Sequence, residues 1–389
     1  MHCHFIKLPK RDRYKKDNIG YYNMNNIKTI GKRMPNIECL RCVAMFFIVL
    51  NHCILNLATN EYKLNNDPIN FCITDFVYQV VYNGVNVFVL ISGYFLVKTT
   101  RETTNWEKVI KLWLSAFFYS MSIYAVFYCI DSQCLTQKKL IHALLPIRYD
   151  SYWFITQYIG LYIISPFLSK WARSMSKKEY KTMLVSFFVI TSIIQLQGLK
   201  GGFSLIWFIF LFMFAGYMQL HGENTSSIIL KWKQHAGIAF ISVSFLLFMM
   251  SFPANGNKLN IVSYLGFYNG PLLFIASVSL FLFFLKIKES NAVRIISKLS
   301  PYMLGVYLIH EHPILKEKLW IFLNENFAEI KIIHLLIIAF IIMAVCIPIE
   351  YARQFLFRYF RIDALFYKSV RFFLLPVTTI LKRKTQSNV

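Results

Sequence analysis

Charge is scarce in this 389-residue chain: Asp, Glu, Lys and Arg together make up 16%, against about a quarter in a soluble domain. Hydrophobic residues make up 56% and the mean hydropathy is +0.46. Two soluble domains, which the length alone permits, are therefore excluded. Glycine and proline, at 15 and 11 residues, are too few for a collagen-like or low-complexity chain. The 8 cysteines are scattered, mostly in or beside apolar segments, so no disulfide framework is implied. Cys39-Leu40-Arg41-Cys42 has the C-x-x-C spacing, but with no second pair it reads as packing at the mouth of a helix. His2-Cys3-His4 belongs to a polar tail. Nucleophile-elbow, P-loop, dinucleotide and metalloprotease signatures are all missing, and Ser92-Gly93 does not sit in G-x-S-x-G. No internal repeat is visible.

Long apolar runs are what the chain has in abundance. A membrane-spanning helix needs about 20 mostly apolar residues. Ten segments qualify: 39–58, 76–97, 112–130, 151–169, 183–199, 203–220, 236–252, 264–285, 299–315 and 333–351. The fold class expected is all-α, a polytopic protein of about ten transmembrane helices. Acidic residues number only 19 against 42 Lys and Arg, for a net charge of +23. A surplus of this size often signals nucleic acid. Here the cations alternate with apolar runs, which points to the lipid bilayer as partner and to no nucleic acid. With the N-terminus placed in the cytoplasm, 33 of the 42 basic residues fall in cytoplasmic segments. The positive-inside rule then gives an N-in, C-in topology.

Three regions follow: a basic cytoplasmic tail over 1–37, a ten-helix membrane domain over 38–351, and a basic cytoplasmic tail over 352–389. The first tail has no apolar stretch, so it is not a signal peptide, and it suits a flexible arm on the anionic inner leaflet. The second mixes arginines with Phe, Leu and Tyr and reads as an interfacial amphipathic helix. Lys200, Gly201 and Gly202 alone separate the fifth and sixth runs, the spacing of a tight hairpin. Asn269-Gly270-Pro271 breaks the eighth run, as a proline kink or as a broken helix lining a cavity.

An ionisable side chain inside a membrane helix costs about 2.5–3.5 kcal/mol on insertion scales and must face protein, water or a partner. The first helix carries two, Arg41 and His52. Eleven residues make about 1100°, three turns plus about 20°, so the two share a face about 16 Å apart along the axis. Glu38 lies one turn before Arg41 and is placed to orient it. The late segment carries His310 at a depth like that of His52, followed by Glu311 and His312, which read as polar residues at the outer interface. Asn83 and Asn86, with Tyr152, Trp153, Gln157 and Tyr158, sit at similar outer depth and suit a sugar. An interfacial aromatic belt looks the same in sequence. Glu350 and Arg353, three apart, read as a structural ion pair.

Glu38, Arg41, ten intervening residues and His52 resemble the opening motif of the acyltransferase-3 family of bacterial membrane O-acyltransferases. Residues 84–96, from Gly84-Val85-Asn86 to Gly93-Tyr94-Phe95-Leu96, resemble its second block. Residues 152–166, from Tyr152-Trp153-Phe154 to Ile164-Ser165-Pro166, are similar to its central block. Gly305-Val306-Tyr307-Leu308-Ile309-His310 is similar to its late block. The four matches run in order from the first helix to the ninth.

The resemblance implies transfer of an acyl group, usually acetyl, from cytoplasmic acyl-CoA to a hydroxyl of a cell-surface glycan or its lipid-linked precursor, in a bacterial inner membrane. It assigns His52 as catalytic base with Arg41 as its partner in the motif. Lys108 and Lys111 stand where many members carry an R-x-x-R pair, and lysine keeps the charge but loses the bidentate fork for phosphate. Acetyl-CoA as donor calls for cations on the inner face, and Arg41, Lys98, Arg101, Lys108 and Lys111 supply them. No metal is implied. By its depth, His310 reads either as a group that positions the acceptor or a developing charge, or as a polar residue near the outer interface. A base must take the hydroxyl proton as it attacks a thioester, and histidine titrates in the right range; an acyl-imidazole on His52 is the alternative. A transporter or flippase of glycolipid intermediates would also use ten helices, a broken helix and buried ionisable groups. The motif in helix one and the lack of a repeat favour the enzyme.

Overall fold

A computed structural model describes residues 34–58, 67–195, 199–222, 227–251, 264–327 and 329–370. Among them every regular element is helical and no strand occurs. Most of the basic tail expected over 1–37, with its His2-Cys3-His4 triplet, and the chain after 370 lie outside the described residues.

Pro35, whose fixed φ suits a first helical turn, opens α1 (Pro35–Cys53), which continues as a π-helical turn over Ile54–Ala58. The next apolar run forms two helices, α2 (Pro68–Val81) and α3 (Gly84–Leu96). The Asn83 amide between them donates to Val80 O at 3.1 Å and so competes with the backbone for a helical carbonyl. Then follow α4 (Trp106–Ile130), α5 (Gln137–Leu144), α6 (Trp153–Ser174) and α7 (Lys177–Phe188). A reciprocal Ser176–Glu179 capping box starts α7. The expected tight hairpin is a turn at Lys200–Gly202, where Gly201 and Gly202 hold φ of 81° and 76°, a region open to glycine without strain.

The second half comprises α8 (Leu205–His221), α9 (Ser227–Gln234), α10 (Ala236–Ser251), α11 (Pro271–Lys286), α12 (Asn291–Ser297), α13 (Met303–His310), α14 (Pro313–Asn326) and α15 (Ile332–Tyr359). The break at 269–271 is real: α11 begins at Pro271 with Gly270 as its cap. The ninth expected span ends at His310 instead of running on to 315. Pro313 disfavours a helical residue before it and starts a new helix itself. The last helix runs past 351 to Tyr359, and a further helix over 362–370 lies on α4, with Phe366 stacked on Trp113 at 5.8 Å.

Six segments among the described residues are long and apolar enough to cross a membrane: Pro35–Ala58, Pro68–Leu96, Trp106–Ile130, Tyr264–Lys286, Asn291–His310 and Ile332–Tyr359. Helices α8 and α10 are apolar but shorter, at 17 and 16 residues. Six of the ten expected spans are therefore matched; α8 and α10 fall short in length, and α6 and α7 fail on polarity. Helix α6 carries Gln157, Lys170 and Arg173, and α7 opens on Lys177, Lys178, Glu179 and Lys181. The chain is a multi-pass membrane protein.

Helix α1 sits at the centre and packs against α2, α3, α11, α12, α13 and α15. Its polar side chains therefore meet protein on most sides, which is what makes them tolerable at membrane depth. Without a hydrophobic force between helices in lipid, small residues set the close approaches. A Cβ on Gly93 would lie 2.5 Å from Phe212 O and 2.6 Å from its Cα, so α3 and α8 touch backbone to backbone. Buried polar ties add to this: Asn36 Nδ2 donates to Phe284 O at 2.9 Å, joining α1 to α11. Glu350 holds Arg353 through two bonds of 2.7 and 2.6 Å and accepts from the Tyr119 hydroxyl at 2.6 Å, joining α15 to α4.

Two variants test this packing in detergent-solubilised protein. Gly93→Leu should separate α3 from α8 and lower the melting temperature sharply, because overpacking with backbone on the far side has no rotamer escape. Glu350→Ala should cost about 3–5 kcal/mol, since it strands a buried guanidinium. A Glu350→Ala protein with wild-type melting would show that Arg353 finds water or another partner.

Candidate functional site

The ends of α1 and α13 meet. His52 Nδ1 lies 3.0 Å from His310 Nε2 and 3.1 Å from Glu311 Oε1. His310 Nδ1 is 2.6 Å from Val306 O, one turn back on α13. A carbonyl only accepts, so His310 Nδ1 carries the hydrogen and its Nε2 presents a lone pair. His52 Nδ1 faces that lone pair and a carboxylate, so it too carries a hydrogen. His52 Nε2 is left as the unprotonated nitrogen, a base by elimination. Glu311 is held from its other side by Lys316 Nζ at 3.1 Å on Oε2. The triplet His310-Glu311-His312 is fixed where α13 gives way to α14. His312 caps α14 by accepting from Ile314 N at 3.2 Å, and its Nε2 donates to Ser120 O at 3.2 Å. His312 is therefore spent on structure, while its two neighbours face His52. The His52, His310 and Glu311 ligand atoms all lie within 4.8 Å of one another and are of types that hold metals. Their hydrogen bonds already satisfy them mutually.

Arg41 and Glu38 lie at the other end of α1, away from the imidazoles. Arg41 Nε is 3.6 Å from Glu38 Oε2, which also accepts from the Ser300 hydroxyl. Arg41 instead joins a cationic group, for Lys108 feels the charges of Arg101, Arg41 and Lys111. Lys108 and Lys111 line a cavity of about 240 Å³ with Leu112, Ser115, Tyr158, Tyr162 and Leu304. The Lys108 ammonium lies 5.9 Å from the centre of the Tyr162 ring, within cation–π range. Lys98 is exposed and is not part of the cavity wall. Leu304 sits six residues before His310 on the same stretch of chain, about 9 Å along a helix.

The remaining sequence candidates divide. Asn83 and Asn86 are fully buried and engaged in packing. Ser277 Oγ donates to Asn83 Oδ1 at 2.9 Å. Asn86 donates to Tyr268 O at 2.8 Å and accepts from Trp207 Nε1 at 3.0 Å. Tyr158 bonds the Ser92 hydroxyl at 3.0 Å while lining the cavity. Trp153 joins an aromatic patch, with ring centres 4.9 Å from Phe203 and 6.0 Å from Tyr268, which itself stacks on Tyr82 at 4.5 Å. Tyr152 is buried between Tyr307 and His312, and Gln157 is half-buried. Glu311 and Lys316 were not among the site candidates. The signal was the acid directly after His310, where depth counting assigned it to the interface.

The acyltransferase domain model matches residues 34–351. The chain belongs to the acyltransferase-3 family. That match takes in both histidines, Glu311 and the lysines of the cavity. No curated protein and no solved structure matches the chain. The protein is accordingly a membrane acyltransferase.

Glu311→Gln keeps the shape but removes the charge that steadies an imidazolium. It should lower acyl transfer about 10²–10⁴-fold, the range of a general-base contribution, with melting near wild type. Transfer at the wild-type rate would remove Glu311 from the working centre.

Proposed function

We propose that this acyltransferase moves an acyl group, acetyl in the first instance, from cytoplasmic acyl-CoA to a hydroxyl of a cell-surface glycan or its lipid-linked precursor, in the inner membrane of a bacterium. One observation carries the reading: His52 Nδ1 faces His310 Nε2 at 3.0 Å and Glu311 Oε1 at 3.1 Å, a contact that assigns the hydrogen to Nδ1 and the role of base to Nε2.

The donor reading rests on the chemistry of the cavity wall. CoA bears phosphates and a pyrophosphate. Lys108 and Lys111 in the wall, with Arg101 and Arg41 beside them, offer the cations these groups need. Helix α13 connects this cavity to His310, so a thioester on a flexible arm has a short route to His52. The acceptor reading is supported by Trp153, Phe203, Tyr268 and Tyr82, whose rings form a patch with Phe203 52% exposed. Aromatic faces of this kind stack on the apolar faces of sugars.

His52 Nε2 takes the proton of the acceptor hydroxyl as its oxygen bonds to the thioester carbon. The imidazolium that results is stabilised by the Glu311 carboxylate. The same proton then goes to the departing thiolate. Glu38 orients Arg41 toward the donor side.

Purified protein in liposomes, supplied with acetyl-CoA and a lipid-linked glycan, tests this by mass spectrometry of the acceptor. His52→Ala should reduce O-acetylation at least about 10²-fold, within the general-base range, while membrane insertion is retained. Undiminished O-acetylation would overturn the base assignment. Lys108→Ala with Lys111→Ala should raise the KM for acetyl-CoA and leave kcat nearly unchanged. An unchanged KM would remove both lysines from the donor site.

A further inference from the structure

A base accounts for only half of an acyl transfer, because the carbonyl oxygen gains negative charge as the hydroxyl adds. We propose that the first turn of α6 and the hydroxyls of Tyr307 and Tyr152 form an oxyanion pocket that holds the thioester carbonyl beside His52. The inference rests on the acyl-transfer reading above and assigns its second half.

Tyr152 and Tyr307 are 1% and 4% exposed, and among the described residues neither hydroxyl has an acceptor for its hydrogen. A buried hydroxyl without a partner is costly, and two of them with rings 6.2 Å apart call for a ligand. Both stand at the N-terminus of α6, Tyr307 through its contact with Phe154. Tyr152 is the capping residue of that helix and makes no side-chain cap. The first amides of any helix have no partner within it and carry a partial positive charge. The Tyr307 hydroxyl sits beside one of them, the Phe154 amide. The Phe154 and Tyr307 rings meet edge to face at 5.6 Å.

Position makes the assignment specific. Tyr307 is one turn before His310, with ring centres 6.2 Å apart. It is also one turn after Leu304, and Phe154 is one turn before Tyr158; both Leu304 and Tyr158 line the lysine cavity. The donors thus stand between the cavity and the imidazole pair, on the route of a thioester arm. Glu311 acts on both tyrosines, so base and oxyanion donors belong to one electrostatic unit.

The step balances. The acceptor O–H bond breaks and its proton goes to His52 Nε2 as the oxygen–carbon bond forms. The carbonyl π pair moves onto the carbonyl oxygen, which accepts hydrogen bonds from Tyr307 Oη and the Phe154 amide. The pair then returns, the carbon–sulfur bond breaks, and the thiolate leaves with the proton from His52.

The test uses the full chain in liposomes with acetyl-CoA and a lipid-linked glycan. Tyr307→Phe keeps the ring and loses the donor. Its kcat should fall about 10²–10³-fold, the effect of one oxyanion donor, with the KM for acetyl-CoA within about twofold and the pH profile unmoved. Tyr152→Phe should fall in the same direction. Wild-type kcat in both variants, or a loss confined to KM, overturns the pocket. A shape-preserving check, 3-fluorotyrosine at 307, makes the donor more acidic and should raise kcat, and an unchanged kcat also overturns it. His52→Ala measured in parallel separates the two readings. If it is inactive while both phenylalanine variants are unaffected, only the pocket fails; if it transfers acyl groups at the wild-type rate, the base reading fails as well.

Discussion

The contact between His52 on α1 and the end of α13 is the constraint around which the molecule is arranged. Two imidazoles 3.0 Å apart can share one hydrogen only if each ring holds a defined tautomer. The Val306 carbonyl fixes one ring and the Glu311 carboxylate fixes the other. A neutral imidazole whose proton is anchored on one side is a directed base on the other, the logic by which a carboxylate steadies a histidine in hydrolases. Glu311 has a second partner in Lys316, so its charge stays compensated before and after a proton moves.

The rest of the bundle encloses His310 and Glu311, which are 1% and 9% exposed. Placing the first helix at the centre gives His52 and Arg41 protein neighbours instead of lipid. The two act at opposite ends of the same helix, one with the carboxylate and the other with the cavity lysines. Glycine contacts such as Gly93 on Phe212 fix the spacing of the helices around that centre. Asparagines serve as crosslinks. Asn36, Asn86 and Asn269 each donate to backbone carbonyls of distant segments, which satisfies irregular backbone where water is absent.

Much of this was legible in the sequence, for identifiable reasons. Apolar length and the alternation of basic residues announce a polytopic helical membrane protein. The helix-one motif and the depth of His310 single out the histidines, because ionisable groups are rare at that depth. Glu311 reads as interfacial when a helix is counted as continuous, whereas α13 ends at His310 and the carboxylate meets His52. Asn83 and Asn86 show the opposite effect. A polar side chain at sugar-binding depth and one that ties two helices are identical until their partners are known. Ten apolar runs are legible, but α6 and α7 carry too many polar residues and α8 and α10 are too short to meet the standard of a span. The tyrosine hydroxyls give no signal at all in sequence, since an unsatisfied oxygen is a property of packing.

The two halves of the imidazole pair come from residues 258 positions apart in the chain. A ribosome feeding this polypeptide into the bilayer releases His52 early, long before its neighbours exist. The pair is assembled only when the segment bearing His310 and Glu311 has been inserted, so a prematurely terminated chain holds an imidazole without its partners.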